Sequence, residues 1–147
     1  MPAGHDGEVN DDRFVWLLEL CEGHGLTTKW VDLGPTLRAR YRPRYRRIDL
    51  NHRLSLRQLV PALAHEFAHH HYRDTCSTTA SERRAWEFAA EMLISAEQYS
   101  RAEQIVGSNV HAIAHELDCT PVIVEARRRM WRDQSARLPQ SIESWGA

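Results

Sequence analysis

The run Leu63-Ala64-His65-Glu66-Phe67-Ala68-His69-His70-His71 decides how the rest of the chain is read. Within it, His65, Glu66 and His69 form a His-Glu-x-x-His sequence. On an α-helix two histidines four residues apart project from one face, about 40° apart, so both imidazoles can reach one ion. Glu66 falls at the edge of that face, where a carboxylate can hydrogen-bond a water without being a ligand itself. This arrangement suits metal-assisted hydrolysis. With nine His and twelve Glu in 147 residues, chance supplies only about 0.04 such matches. The preceding residues agree with a helix. Leu56, Leu59, Val60 and Leu63 have helical spacing, Ser55 stands at the N-cap, and nothing after Pro61 interrupts the pattern, so a helix is expected over 55–72.

Two histidines need a third protein ligand if the fourth position of a catalytic zinc is to stay open. The downstream candidates are Glu82, Glu87, Glu91 and, less favoured, Cys76. A helix is expected over 81–95. At about 100° per residue from Glu82, the apolar residues Ala85, Ala89, Met92 and Leu93 fall near 300°, 340°, 280° and 20°. Glu82 therefore lies inside the apolar arc, whereas Glu87 and Glu91 lie opposite it. A carboxylate turned toward a core needs compensation, which a metal provides. The competing role for Glu82 is to close a capping box, Thr79-x-x-Glu82, at the start of the helix.

These two stretches together, His65-Glu66-Phe67-Ala68-His69 and Glu82-Arg83-Arg84-Ala85-Trp86-Glu87-Phe88-Ala89-Ala90-Glu91-Met92-Leu93, resemble the ImmA/IrrE family of metallopeptidases. That family pairs a His-Glu-x-x-His helix with a helix of the form Glu-x-x-Ala-(Asn/Asp)-x-Phe-Ala-x-x-Leu-Leu. The resemblance is strongest over residues 45–95. It implies a Zn2+ cofactor held by His65, His69 and Glu82, with Glu66 as the catalytic base of peptide-bond hydrolysis. It further implies a cytoplasmic regulatory protease of a phage, mobile element or bacterium, whose protein substrate is a transcriptional repressor. Trp86 and Ile94-Ser95 depart from the pattern. Trp86 stands where the family has an Asn or Asp that would orient a ligand by hydrogen bonding.

The length suits one domain. The expected fold class is α+β: a mainly helical, zincin-like single domain with a small three-stranded antiparallel sheet. Residues 1–9 are read as a disordered lead, 10–133 as the domain and 134–147 as a tail. A first helix begins at Asn10 or Asp11, buries Phe14, Leu17, Leu18 and Cys21, and ends at Gly23 and Gly25. Strand-like segments follow at Leu26–Leu33, Thr36–Tyr41 and Tyr45–Asn51, separated by Gly34-Pro35 and Arg42-Pro43-Arg44. In the second segment Leu37, Ala39 and Tyr41 face one way and Arg38, Arg40 and Arg42 the other. Alternation of this kind marks a sheet with one solvated face. The arginines either keep that face soluble or attract an acidic partner.

The formal net charge of −1 excludes a globally basic nucleic-acid binder, and no apolar run approaches the ~20 residues of a membrane span. Cys21, Cys76 and Cys119 are read as reduced thiols, Cys76 as buried or semi-buried. His70 and His71 read as exposed polar residues at a helix end. His111 and His115, also four apart, lack an intervening Glu and a third ligand and read as structural. Two helices are expected over 109–133 around Cys119-Thr120-Pro121, a helical end (104–133) weakly like a helix-turn-helix, with Arg127 to Arg129 on its second helix. Two further readings remain in view. One is a zinc-stabilised binding module that regulates a repressor by contact. The other is a DNA-binding regulator, with nucleic acid the less favoured partner. The pattern specifies no oligomeric state.

Overall fold

Helix α2 (Leu56–His71) carries the His-Glu-x-x-His sequence and buries Leu59, Val60, Leu63 and Phe67 on the side away from solvent. A computed structural model of the chain describes residues 8–137. Before α2 come helix α1 (Glu8–Gly23) and strands β1 (Thr27–Val31), β2 (Ala39–Arg42) and β3 (Arg47–Asn51), with a single 3-10 turn at Pro43–Tyr45. After it come α3 (Thr79–Leu93), α4 (Ala96–Val106), α5 (Val110–Glu116) and α6 (Pro121–Arg137). The class is α+β and mainly helical. Helix α2 packs against α1, α3, β2 and β3, and α6 lies along α3. Among the described residues no helix is long and apolar enough to cross a membrane.

The sheet has three strands but is mixed rather than antiparallel. Its order is β1-β3-β2, with β1 parallel and β2 antiparallel to β3. The segment 32–38 carries the chain past the end of β3 to the opposite edge. Asn51, at that end of β3 and buried, pins the crossing by donating to the carbonyls of Gly34 and Leu37, both at 2.8 Å. Alternation reports which face a side chain takes and not which strand lies beside which, so the sequence pattern could not distinguish the two topologies.

Within β2 and β3 the facing of side chains is as the alternation predicts, whereas Leu37, expected on the face of Ala39 and Tyr41, precedes β2 and is exposed. Ala39, Ile48 and Leu50 are buried against the helices. On the outer face Arg42 and Arg47 both bond Asp49, at 2.6 and 2.7 Å, and cover it so fully that only 2% of it is exposed. One arginine of the run is thus spent on internal charge balance. Among the described residues Arg38 and Arg40 make no ion pair, and Arg40 is exposed.

Helix α4 was not anticipated, although its capping box, Ser95 with Gln98, is visible in the sequence. The helical end is tied into the domain. Asn10 donates to the Asp118 carboxylate at 2.7 Å, Arg13 to the Leu117 and Asp118 carbonyls, and Arg57 to the Cys119 carbonyl. Helix α1 starts at Glu8 and α6 continues past Gln134 to Arg137. The remainder of the expected lead and tail, residues 1–7 and 138–147, lies outside the described residues. Cys21 and Cys119 are buried free thiols, each pushed up to about 11 by burial. Cys76, expected to be at least half buried, is exposed because it falls in the loop between α2 and α3.

Burial works to raise the Asp49 carboxyl, but Arg47 and Arg42 outweigh it and hold the group below its usual range. Its contribution to stability is therefore present above the ordinary carboxylate range, and is lost as pH falls through the lowered folded value. Asp49→Asn should destabilise the domain at pH 7 by roughly 1–3 kcal/mol, since it strips the arginines of their shared partner while leaving them half in water. Denaturant unfolding at pH 7 and pH 3 measures this. The gap between variant and parent should narrow at the acid pH, and an equal gap at both would contradict the assignment.

Candidate metal centre

The two histidines leave α2 one turn apart and meet Glu82, which stands in the first turn of α3. His65 Nε2 lies 2.9 Å from Glu82 Oε2, and His69 Nε2 lies 3.0 Å from Glu82 Oε1. His65 and His69 are 7% and 8% exposed. Their ligand atoms and that of Glu82 all fall within 4.8 Å of one another, and among the described residues this is the one His/Cys/Asp/Glu group so placed. Two imidazole nitrogens and a carboxylate make a donor set suited to zinc with one position left open.

Glu82 is free for this role because the cap of α3 is built one residue earlier than the Thr79-x-x-Glu82 reading. Thr78 is the N-cap. Its hydroxyl accepts from the Ser81 N–H at 3.0 Å, and the Ser81 hydroxyl returns a bond from the Thr78 N–H at 2.8 Å. Burial tends to raise the Glu82 carboxyl, while a 2.8 Å bond from the Ser77 hydroxyl and the nearby His65 and His69 outweigh it and keep it lowered. Glu87 instead pairs with Arg83 at 3.0 Å and faces Arg129 of α6, and Glu91 is exposed.

Each imidazole also has a carboxylate at its other nitrogen. His69 Nδ1 lies 2.9 Å from Asp74 Oδ2, and Arg84 in turn bonds Asp74 Oδ1 at 2.7 Å. His65 Nδ1 lies 3.1 Å from Glu66 Oε1. Such partners fix ring orientation and leave Nε2 to face a metal. Trp86 stacks on the His65 ring, with centroids 4.0 Å apart and planes 24° from parallel. A face contact here replaces the hydrogen bond that an Asn or Asp would offer. Asp74 and Ser77 escaped the sequence reading. They sit in a polar loop without periodicity, and the only available signal was a carboxylate five residues beyond His69.

The second oxygen of Glu66 accepts the main-chain N–H of Tyr41 at 2.8 Å. Because the Asn51 N–H bonds the Arg38 carbonyl, the alternation of an antiparallel pair turns the main-chain groups of Ala39 and Tyr41 away from β3, to the free edge of β2. That edge borders a cleft of about 410 Å³, whose walls include Ala39, Tyr41, Glu66, His69, Cys76 and Glu82.

The family model of the IrrE N-terminal-like domain, a group of metallopeptidases, matches residues 21–128, from the end of α1 into α6. The chain belongs to this family. No curated protein sequence matches it significantly. Membership in the ImmA/IrrE-type peptidases implies a metal, and among the described residues the His-His-Glu group is the one that could hold it.

The remaining histidines are placed elsewhere. His70, expected to be exposed, is half-buried, since its Nδ1 lies 3.0 Å from the Tyr41 hydroxyl. His71 is exposed and stacks on Phe88, and His111 and His115 are exposed on α5.

Substitutions separate the three glutamates. Glu82→Gln should weaken zinc binding strongly, Asp74→Asn by about 10–100-fold, and Glu87→Gln and Glu91→Gln hardly at all. Competition against a chromophoric chelator measures each. Zinc retained by Glu82→Gln and released by Glu87→Gln would sink the geometry described above.

Proposed function

We propose that this IrrE-type domain is a zinc-dependent endopeptidase that cleaves an extended segment of an intracellular regulatory protein, with a transcriptional repressor as the substrate class and the cytoplasm as its place of work. The observation that carries the reading is the meeting of His65, His69 and Glu82 beside Glu66, at the foot of a free strand edge. A zinc ion held by those three side chains would supply Lewis-acid polarisation of a carbonyl and a coordinated water acidified toward pKa ~7.

The residues of the chain do the rest. A peptide laid along β2 pairs with the outward main-chain groups of Ala39 and Tyr41, which orients its backbone over the cleft without reading its sequence. Pairing competes with Glu66 for the Tyr41 N–H and so releases one carboxylate oxygen. Glu66 then takes a proton from the attacking water and delivers it to the leaving amine, as a general base and then a general acid. His69 is kept in its ring orientation by Asp74, and His65 by the Trp86 face. Since strand addition needs an extended chain, the substrate segment must be flexible or locally unfolded.

Contact regulation without cleavage draws on the same geometry, because both Glu66 oxygens are engaged. A DNA-binding role has less support. Arg128 of α6 is spent on the Tyr99 hydroxyl and the Ser108 carbonyl, and Arg129 faces Glu87.

Glu66→Gln distinguishes cleavage from contact. Zinc content and melting temperature should match the parent, while turnover of an unfolded test protein falls by about 10²–10⁴-fold. A variant that still relieves repression in cells as well as the parent, with zinc bound, would transfer the function to contact.

A further inference from the structure

The cleft at the metal centre has a neighbour. A second cavity, of about 520 Å³, shares Tyr41, Pro43, Asp74 and Thr75 with it, so these residues form a common wall with one lobe on each side. The walls of the second lobe add His24, Arg46, His70, His71 and Arg73. Its one carboxylate, Asp74, is already committed at both oxygens, to His69 and to Arg84. The two guanidinium charges are therefore unbalanced within the lobe.

The lobe is also partly rigid. Arg46 has φ +48°, and its Nη2 and Nε donate to the His24 and Gly25 carbonyls at 3.0 and 3.4 Å, which holds the guanidinium at the rim between the hairpin and α1. His70 is pinned by the Tyr41 hydroxyl and meets the His24 ring edge to face, with centroids 6.2 Å apart. Arg73, also at positive φ, is exposed and makes no side-chain hydrogen bond or ion pair among the described residues. Arginines fixed or free at the mouth of a half-enclosed lobe suit a carboxylate, which a guanidinium can bind through two parallel N–H donors.

We infer that this lobe is a specificity pocket for an acidic side chain, Asp or Glu, of the substrate peptide. The inference rests on the peptidase reading for its substrate and adds the side-chain chemistry that main-chain pairing cannot supply. A strand paired with Ala39 and Tyr41 continues past Pro43, and its flanking residues then pass Arg46 and Arg73. Selection therefore acts a short distance from the scissile bond, on one side of it.

The probe is a set of short fluorescein-labelled peptide pools that carry a fixed Asp or Glu at each position in turn, with Asn or Gln pools as matched controls. Fluorescence anisotropy on the zinc-loaded Glu66→Gln protein should show one position at which the acid binds about 5–10-fold tighter than the amide, with the difference shrinking as salt rises. Arg73→Glu, and Arg46→Glu if it melts cooperatively, should abolish or reverse the preference. Arg44→Glu, on the same turn but outside both lobes, should leave it in place. Equal binding of acid and amide pools, a preference that survives Arg73→Glu, or no binding at all would overturn the inference. Cleavage of the same pools by the parent protein is scored separately. Acid-selective binding without any cleavage would defeat the peptidase reading and leave the pocket standing, whereas cleavage without acid selectivity would do the reverse.

Discussion

Everything at the centre depends on how closely α2 and α3 approach. His65 and His69 can share Glu82 only if the two helices pack with little between them. Ala68 on α2 and Ala85 and Ala89 on α3 are all fully buried, and Ala85 and Ala89, three and seven residues after Glu82, lie on the same face of α3. A methyl group at these positions permits the short end of the usual 8–10 Å interaxial range. Larger residues there would hold Glu82 away from the imidazoles while leaving each helix intact. Sequence, packing and chemistry are thus joined at three small side chains that take no part in the reaction.

Around that contact, charge is placed in pairs. Asp74 joins His69 to Arg84, Asp49 joins Arg42 to Arg47, and Glu87 joins α3 to α6 through Arg83 and Arg129. Buried or half-buried carboxylates are tolerable only with such partners. Glu82 differs from them. Its neighbours are a serine hydroxyl and two imidazole nitrogens that can themselves bind a metal, so it is the carboxylate in this network best suited to coordinate an ion.

What could be read from the sequence follows from the range of each interaction. The shared face of His65 and His69 is a consequence of helical period over a few residues. Period alone does not rank the glutamates by burial, since the Glu82 side chain is 36% exposed and that of Glu87 23%, and it is the approach of α3 to α2 that brings Glu82 to the imidazoles. The facing of Ala39, Tyr41 and Arg40 is equally local. The sheet order is not, because it is set by the path of residues 32–38 and by Asn51 reaching back to the Gly34 and Leu37 carbonyls. The cap of α3 is at Thr78 rather than Thr79: Ser77, Thr78 and Thr79 are all competent N-caps by composition, and Thr78 is the one that bonds reciprocally with Ser81. Asp74 and the exposed Cys76 lie in a loop whose course is fixed by its ends. The departure at Trp86 was visible as a substitution, but its stacking on His65 required the fold.

His65, His69 and Glu82 are the side chains placed to hold one zinc ion without a cysteine. X-ray absorption at the zinc edge, on protein loaded with one equivalent, reads that ligand set. Only nitrogen and oxygen at about 2.0–2.2 Å, with the outer scattering of two imidazoles, are expected. A scatterer at about 2.3 Å, the distance of a thiolate, would bring Cys76 into the shell and contradict that ligand set, as would a shell with one imidazole or none.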